Sequence, residues 1–171
     1  MAGHRLTGVL LVGGASTRFG SPKALARYNG ETLAERAWRV LGDACDERIA
    51  VGKEHDELPL PFPIVDDGSA VRAPIAGVVA GLRAATNDVC VFLPVDCPLI
   101  SPGSLLELAA AADAVTPTGP LPGAFRRSTL PFLEQKLRRG DYSLRDLVAT
   151  VVELDPHELA NVNTLEDLTR L

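Results

Sequence analysis

The segment with the most chemical content is 11–23, which reads LVGGASTRFGSPK. Its glycines, including Gly13 and Gly14, let main-chain N–H groups approach phosphate oxygens without an intervening side chain. Arg18 and Lys23 can neutralise charge on a polyphosphate. The segment is therefore predicted to bind the phosphates of a nucleotide, although the residues alone also allow an ordinary strand-to-helix turn with solvated cations.

The glycine-rich segment differs from two common nucleotide-binding patterns. A Walker A loop has a glycine, four further residues and then Gly-Lys-Ser/Thr. Here Lys23 follows Pro22 and precedes Ala24. The GxGxxG pattern of dinucleotide-binding domains is also absent. Kinase-like NTPases and nicotinamide dehydrogenases are therefore disfavoured.

Two acidic positions follow apolar runs and could hold a metal. Asp96 comes just after the run 88–94, and Asp66 and Asp67 come after the run 63–65. Mg²⁺ in nucleotide sites needs only one or two carboxylates besides phosphate oxygens. Asp96 is the predicted Mg²⁺ ligand, and Asp67, rather than Asp66, is a candidate second metal or substrate contact. Each could instead be a turn residue.

Alternating apolar runs and helical patterns predict the elements that position these residues. Strands are expected at 9–12, 48–51, 63–65, 88–94, 114–116 and 151–154. Helices are expected at 32–41, 74–85, 101–112, 130–139, 143–150 and 164–171, with a turn-rich loop at 117–122. This order predicts an α/β fold, a Rossmann-like three-layer sandwich with a mainly parallel central sheet, whose ligands bind at the carboxyl ends of the strands.

Composition limits the classes of function. The 171 residues suit a single domain over 1–171, with 46% hydrophobic and 23% charged residues. A net charge of −5 argues against a general nucleic-acid binder. We expect no membrane partner, because no apolar run approaches the ~20 residues of a spanning helix. An odd number of cysteines without CxxC spacing favours reduced thiols and a cytoplasmic location.

Four segments together resemble one family. The glycine-rich segment is similar to the LxGGxSxRxGxxK motif of the molybdenum cofactor guanylyltransferases, the MobA-like nucleotidyltransferases, and every fixed position is present. APIAG at 73–77 is similar to the family's GPLAG segment, and VDCPLIS at 95–101 to its DxPLIS segment. NVNTLED at 161–167 resembles its NxNTPED segment. Related cytidylyltransferases often carry Ala-Gly where this chain has Gly13-Gly14, which favours guanine.

The resemblance implies an activity and a fold of the nucleotide-diphospho-sugar transferase type. The family transfers GMP from GTP to molybdopterin, or Mo-molybdopterin, with release of pyrophosphate and with Mg²⁺ as cofactor. Residues of about 1–100 would bind the nucleotide and those of about 101–171 the acceptor. Molybdoenzymes or cofactor chaperones are the protein partners that would receive the product.

Residue roles follow from the matched motif positions. Arg18, Lys23 and Asp96 would be catalytic, with Asp96 also holding the metal. The implied nucleotide contacts are Leu11, Gly13, Gly14, Ala15, Ser16, Lys23, Asp67, Pro74, Gly77 and Asp96. Asn161 and Asn163 would face the acceptor, although next to Thr164 they are equally suited to a turn and helix cap.

Departures from the family pattern leave alternatives open in the acceptor half. PGAFR at 122–126 stands where the family commonly has a His-Pro-Thr-like stretch, and Leu165 replaces a proline. A related nucleotidyltransferase using CTP or another phosphorylated acceptor remains possible. So does a nucleotide-binding carrier without turnover.

Overall fold

The computed structural model describes residues 5–13 and 19–171, which include a seven-stranded sheet. Its strands are β1 Leu6–Leu11, β4 Glu47–Gly52, β5 Ile64–Asp66, β6 Val89–Pro94, β7 Ala114–Thr116, β8 Gly119–Arg126 and β9 Thr150–Val151. They lie in the order β5-β4-β1-β6-β8-β7-β9. A small hairpin contains β2 Arg27–Tyr28 and β3 Glu31–Thr32. The helices are α1 Leu33–Ala44, α2 Pro74–Ala84, α3 Pro102–Ala110, α4 Leu130–Arg138 and α5 Leu165–Thr169.

The sheet is mainly parallel, as predicted. Strand β1 pairs in parallel with β4 and β6, and β4 pairs in parallel with β5. Strand β8 runs antiparallel between β6 and β7, and β9 is parallel to β7. The carboxyl ends of β5, β4, β1 and β6 therefore form one continuous edge.

Apolar residues on both faces of the sheet produce the three layers. Along β1, Leu10 faces the apolar cluster that contains helices α1 and α3. Val9 and Leu11 face the opposite cluster, which is built on α2 and includes Leu133 of α4. Because successive side chains in a strand point to opposite faces, a continuous apolar run such as β1 is needed where both faces are covered.

Helix α1 begins at the position that its sequence pattern predicts. The hydroxyl of Thr32 accepts a hydrogen bond from the backbone N–H of Glu35 at 3.1 Å, and the Glu35 carboxylate accepts one from the N–H of Thr32 at 2.8 Å. This reciprocal cap satisfies two amides that have no partner within the helix. The helix extends to Ala44, three residues beyond the expected end.

Of the loop expected at 117–122, residues 117–118 form a turn, but 119–122 belong to strand β8. Pro120 and Pro122 have no N–H to donate to a neighbouring strand, so the sequence predicts a loop here. They are tolerated because β6 pairs with β8 only over Gly123–Arg126. The strand is thus regular where it lies inside the sheet and irregular where the prolines occur.

The expected helix at 143–150 is absent, and the segment is an irregular connection. Its first amides bond to side chains: Ser143 N–H donates to Asp141 Oδ1 at 3.2 Å and Arg145 N–H to Ser143 Oγ at 3.2 Å. Lys136 Nζ then binds the Asp146 carboxylate at 2.7 Å. Side-chain acceptors therefore compete successfully with helix formation.

Across the described residues, no helix is long and apolar enough to cross a bilayer.

Candidate active site

A cavity of about 310 Å³ opens at the carboxyl ends of the parallel strands. Its lining comes from the ends of β1, β4 and β6, from the β5–α2 connection and from the start of α2. The lining residues are Leu11, Gly13, Lys23, Val51, Gly52, Lys53, Asp67, Val71, Arg72, Ala73, Pro74, Gly77, Pro94, Asp96 and Leu121. This is the location expected for a ligand site in an open α/β sheet.

Most of the predicted nucleotide contacts meet at this cavity. Its lining includes Leu11, Gly13, Lys23, Asp67, Pro74, Gly77 and Asp96. The predicted contacts Gly14, Ala15, Ser16 and Arg18 lie outside the described residues. Residues from four separate segments of the chain are thus brought to one surface by the topology of the sheet.

Lys23 and Asp96 lie side by side in the cavity. Lys23 Nζ is 3.8 Å from Asp96 Oδ2, and both side chains are partly exposed. Lys23 begins a single 3₁₀ turn that is anchored by the buried Ala24. Burial raises the pKa of the Asp96 carboxyl, while Lys23 acts in the opposite direction. A cation bound at this carboxylate would offset the cost of burying its charge.

The C-terminal segment is joined to the backbone of Asp96. The N–H of Val162, which is fully buried, donates to the Asp96 carbonyl oxygen at 2.8 Å. The Asn161 amide lies near enough to the Asp96 carboxyl to favour its charged form and so lower its pKa. Asn161 therefore lies at the edge of the candidate site. Asn163 is exposed, and its N–H donates to Asp167 Oδ2 at 2.8 Å in the cap of α5.

The two neighbouring aspartates after β5 have different surroundings. Asp66 accepts backbone hydrogen bonds from Glu54 at 2.8 Å and Gly68 at 2.7 Å, which lower the pKa of its carboxyl. Asp67 instead lines the cavity, where Oδ1 accepts from Lys53 Nζ at 2.7 Å. Asp66 shapes the turn, and Asp67 is the residue of the pair that can meet a ligand.

The MobA-like NTP transferase domain family matches residues 8–158. The chain belongs to this family. Two relatives named probable molybdenum cofactor guanylyltransferase support the same assignment. The protein from Bacillus subtilis is 29% identical, with 95% of this chain and 92% of the relative covered. The protein from Chloroflexus aggregans is 30% identical, with 95% and 91% covered. The prediction of a nucleotidyltransferase is confirmed.

Solved structures agree on the fold. Molybdopterin-guanine dinucleotide biosynthesis protein A from Archaeoglobus fulgidus has a TM-score of 0.79 at 21% identity, with 96% of this chain and 95% of that chain covered. The 2-C-methyl-D-erythritol 4-phosphate cytidylyltransferase from Thermus thermophilus has a TM-score of 0.72 at 20% identity, with 95% of each chain covered. The predicted fold of the nucleotide-diphospho-sugar transferase type is confirmed.

The donor set of the site suits Mg²⁺ at Asp96 better than at Asp67. Within the described parts of the chain, no cluster of three His, Cys, Asp or Glu side chains could hold a metal alone. Mg²⁺ in nucleotide sites commonly binds one or two carboxylates and takes its other ligands from phosphates and water. Asp67 already has an ammonium 2.7 Å from Oδ1, which would repel a second cation. The Lys23 ammonium lies farther from Asp96, at 3.8 Å, so Asp96 is the better of the two carboxylates for a divalent cation.

Sequence reasoning missed several residues of the cavity lining, including Lys53, Arg72 and Leu121. Lys53 directly follows β4, so the sequence could have predicted that it lies at the carboxyl edge of the sheet. Arg72 lies in the β5–α2 connection, where its guanidinium donates to Asp56 Oδ1 at 2.9 Å. Leu121 enters the lining from β8, which the sequence did not reveal as a strand.

Gly77 allows helix α2 to approach β1 beneath the cavity. A Cβ added at Gly77 would lie 2.8 Å from Leu11 Cδ2, and Leu11 is itself buried. We expect Gly77→Ala to lower the free energy of unfolding by about 1–2 kcal/mol, because overpacking outweighs the gain of about 0.5–1 kcal/mol in helix propensity. Denaturant unfolding would measure this change.

Gly103 in α3 provides the control for that substitution. A Cβ at Gly103 would have its nearest neighbour, Ser101 Oγ, at 3.8 Å, which is an ordinary contact. Gly103→Ala is therefore expected to be neutral or stabilising. Equal effects of the two substitutions would show that the contact with Leu11 does not constrain position 77.

Proposed function

We propose that this protein is a molybdenum cofactor guanylyltransferase, which transfers GMP from GTP to molybdopterin or Mo-molybdopterin and releases pyrophosphate. The proposal rests on one observation: Lys23 and Asp96 lie beside each other in a cavity that is lined by the segments of this chain that resemble the family's motifs. The names of the Bacillus and Chloroflexus relatives support the same reaction.

Charge at the cavity suits a polyphosphate ligand. Lys23, Lys53 and Arg72 line it together with Asp67 and Asp96. Lys53 is paired with Asp67 and Arg72 with Asp56, so Lys23 is the lysine of the lining that is placed to meet phosphates. In a chain with a net charge of −5, cations held at the carboxyl ends of the strands are a local feature that favours an anionic ligand.

The order of the strands suggests how the nucleotide lies. Neighbouring strands are about 4.8 Å apart, so the ends of β5 and β6 are separated by roughly 14 Å. The glycine-rich segment after β1 and the Lys23–Asp96 pair would bind the phosphates. The nucleoside would then extend along the edge toward β4 and β5, where Asp67, Pro74 and Gly77 line the cavity.

Catalysis would rest on positioning and charge. Backbone groups of Gly13–Ser16 would hold the triphosphate, and Arg18 and Lys23 would stabilise charge on the α-phosphate and the departing pyrophosphate. Asp96 would hold Mg²⁺, which supplies further positive charge to the phosphates. The acceptor phosphate is already an anion, so it needs no general base.

The acceptor would bind beside Asp96 through the C-terminal part of the chain. The Val162 N–H donates to the Asp96 carbonyl oxygen at 2.8 Å, which brings the flanking Asn161 and Asn163 toward this part of the site. In this proposal residues of about 1–100 bind the nucleotide and those of about 101–171 bind molybdopterin. The finished cofactor would pass to a molybdoenzyme or a cofactor chaperone in the cytoplasm.

Pyrophosphate release tests the proposal directly. The protein is supplied with Mg²⁺ and either GTP or CTP, each with and without molybdopterin. We expect release only when GTP and molybdopterin are both present. Release that requires CTP would replace guanine by cytosine in the assignment. Binding of GTP without release in the presence of molybdopterin would contradict transfer to this acceptor and favour a carrier.

A further inference from the structure

Lys53 is a buried cation in the cavity wall that the proposed reaction does not use. Its side chain is only 6% exposed, and that of its partner Asp67 is 7% exposed. The ammonium donates to Asp67 Oδ1 at 2.7 Å, to the Val71 carbonyl oxygen at 2.8 Å and to the carbonyl oxygen of Ser69. All three donors of the ammonium are therefore satisfied by one short segment.

The segment 67–71 depends on these contacts for its shape. Asp67 Oδ1 also accepts from the N–H of Ser69 at 2.9 Å, and Ser69 Oγ accepts from the N–H of Val71 at 3.1 Å. The N–H of Asp67 donates to the carbonyl oxygen of Gly52 at 3.0 Å. Lys53 thus links the end of β4 to the wall of the cavity.

Stability alone does not account for a lysine at this position. A buried ion pair gains little over a well-packed apolar pair, because desolvation of both charges offsets their attraction. Such a pair does fix the orientation of its members. Both hydrogen bonds that the Asp67 carboxylate makes among the described residues use Oδ1, so Oδ2 is the oxygen that can accept from a ligand.

We propose that Lys53 is a positioning residue for nucleoside recognition, which holds Asp67 so that Oδ2 accepts hydrogen bonds from the ribose hydroxyls or base N–H groups. This inference rests on the proposed nucleotide site. Lys53 acts through Asp67 and not on the phosphates, since its donors are occupied and it lies toward the β4–β5 side of the edge.

A double-mutant cycle tests this role. Lys53→Met, Asp67→Asn and the double variant are compared with the parent protein for binding of GTP and GMP in Mg²⁺, by displacement of a fluorescent guanine nucleotide. Lys53→Met should raise Kd about 10- to 100-fold, the effect expected when a hydrogen bond to a charged group is lost. The factor should be the same for GTP and GMP.

The Asp67→Asn background separates positioning from direct contact. There, adding Lys53→Met should change Kd by less than about threefold, because the group that it orients has already been altered. The double variant removes both buried charges, so it answers the question even if Lys53→Met alone does not fold. Loss of affinity for GTP but not for GMP, or an equal loss in both backgrounds, would contradict the inference.

Lys136→Met is the matched control. Lys136 of α4 is also a buried lysine, 5% exposed at its side chain. It pairs with Asp141 at 2.8 Å and Asp146 at 2.7 Å, both in the segment after that helix. It does not line the cavity. Its substitution should lower thermal stability and leave both Kd values unchanged. A parent protein that binds neither GTP nor CTP would overturn the proposed function, whereas normal binding by Lys53→Met overturns only this inference.

Discussion

Substitution of Lys23 by alanine is expected to lower kcat for pyrophosphate release about 100- to 1,000-fold, the usual cost of removing one charge-stabilising donor from an active site. The loss should be larger in kcat than in the affinity for GTP, because charge on the leaving pyrophosphate develops in the transition state. Steady-state release at saturating GTP, Mg²⁺ and molybdopterin measures this effect.

The ion pair between Lys23 and Asp96 should contribute little to folding. The Lys23–Asp96 pair has a 3.8 Å separation and partly exposed partners, so we expect it to contribute no more than about 1 kcal/mol. The 3₁₀ turn keeps its anchor, since Ala24 and not Lys23 is its buried residue.

Arg27→Ala is the control for loss of a nearby cation. Arg27 is exposed and donates to the Gly30 carbonyl oxygen at 3.1 Å, and it does not line the cavity. This variant should turn over at the parental rate. If Lys23→Ala also did so, the assigned role of Lys23 in charge stabilisation would be wrong.

The strand ends explain why much of the candidate site could be predicted from the sequence. A buried parallel strand reads as an apolar run, and the polar residue that follows it must lie at the carboxyl edge. Gly13 and Asp96 each follow such a run, Asp67 follows the short and more exposed strand β5, and all three line the cavity. Local sequence is sufficient in these cases because position along the strand fixes position in space.

Residues whose place depends on tertiary contacts were not predictable in this way. Lys53 follows a strand, but its burial depends on Asp67 and Val71 of another segment. Leu121 reaches the cavity through a strand whose prolines suggest a loop. Segment 143–150 has helical periodicity, yet hydrogen bonds to side chains and to Lys136 prevent the helix. The misses at Lys53 and Leu121 reflect contacts with other segments of the chain, whereas the miss at 143–150 reflects local hydrogen bonds to side chains.

Asp96→Asn should have the other large effect, a loss of at least about 100-fold in Mg²⁺-dependent turnover. Asparagine preserves the size of the side chain but removes the charge that would hold the cation. Raising Mg²⁺ should restore only part of the activity. Turnover measured across a Mg²⁺ titration tests this, and full activity at the parental Mg²⁺ concentration would contradict metal binding by Asp96.

Stability should change in the opposite direction from activity. Burial raises the pKa of the Asp96 carboxyl in the folded protein. A group with a raised pKa stabilises the fold below its unfolded pKa and loses that contribution as pH rises through the folded value. Asparagine has no such group and so does not lose this stability as pH rises. Without nucleotide and Mg²⁺, Asp96→Asn should therefore unfold at an equal or higher temperature than the parent at neutral pH. The difference should shrink in acid.

A variant that is inactive and also less stable at neutral pH would instead indicate that Asp96 supports the fold. The loss of turnover could not then be assigned to the metal.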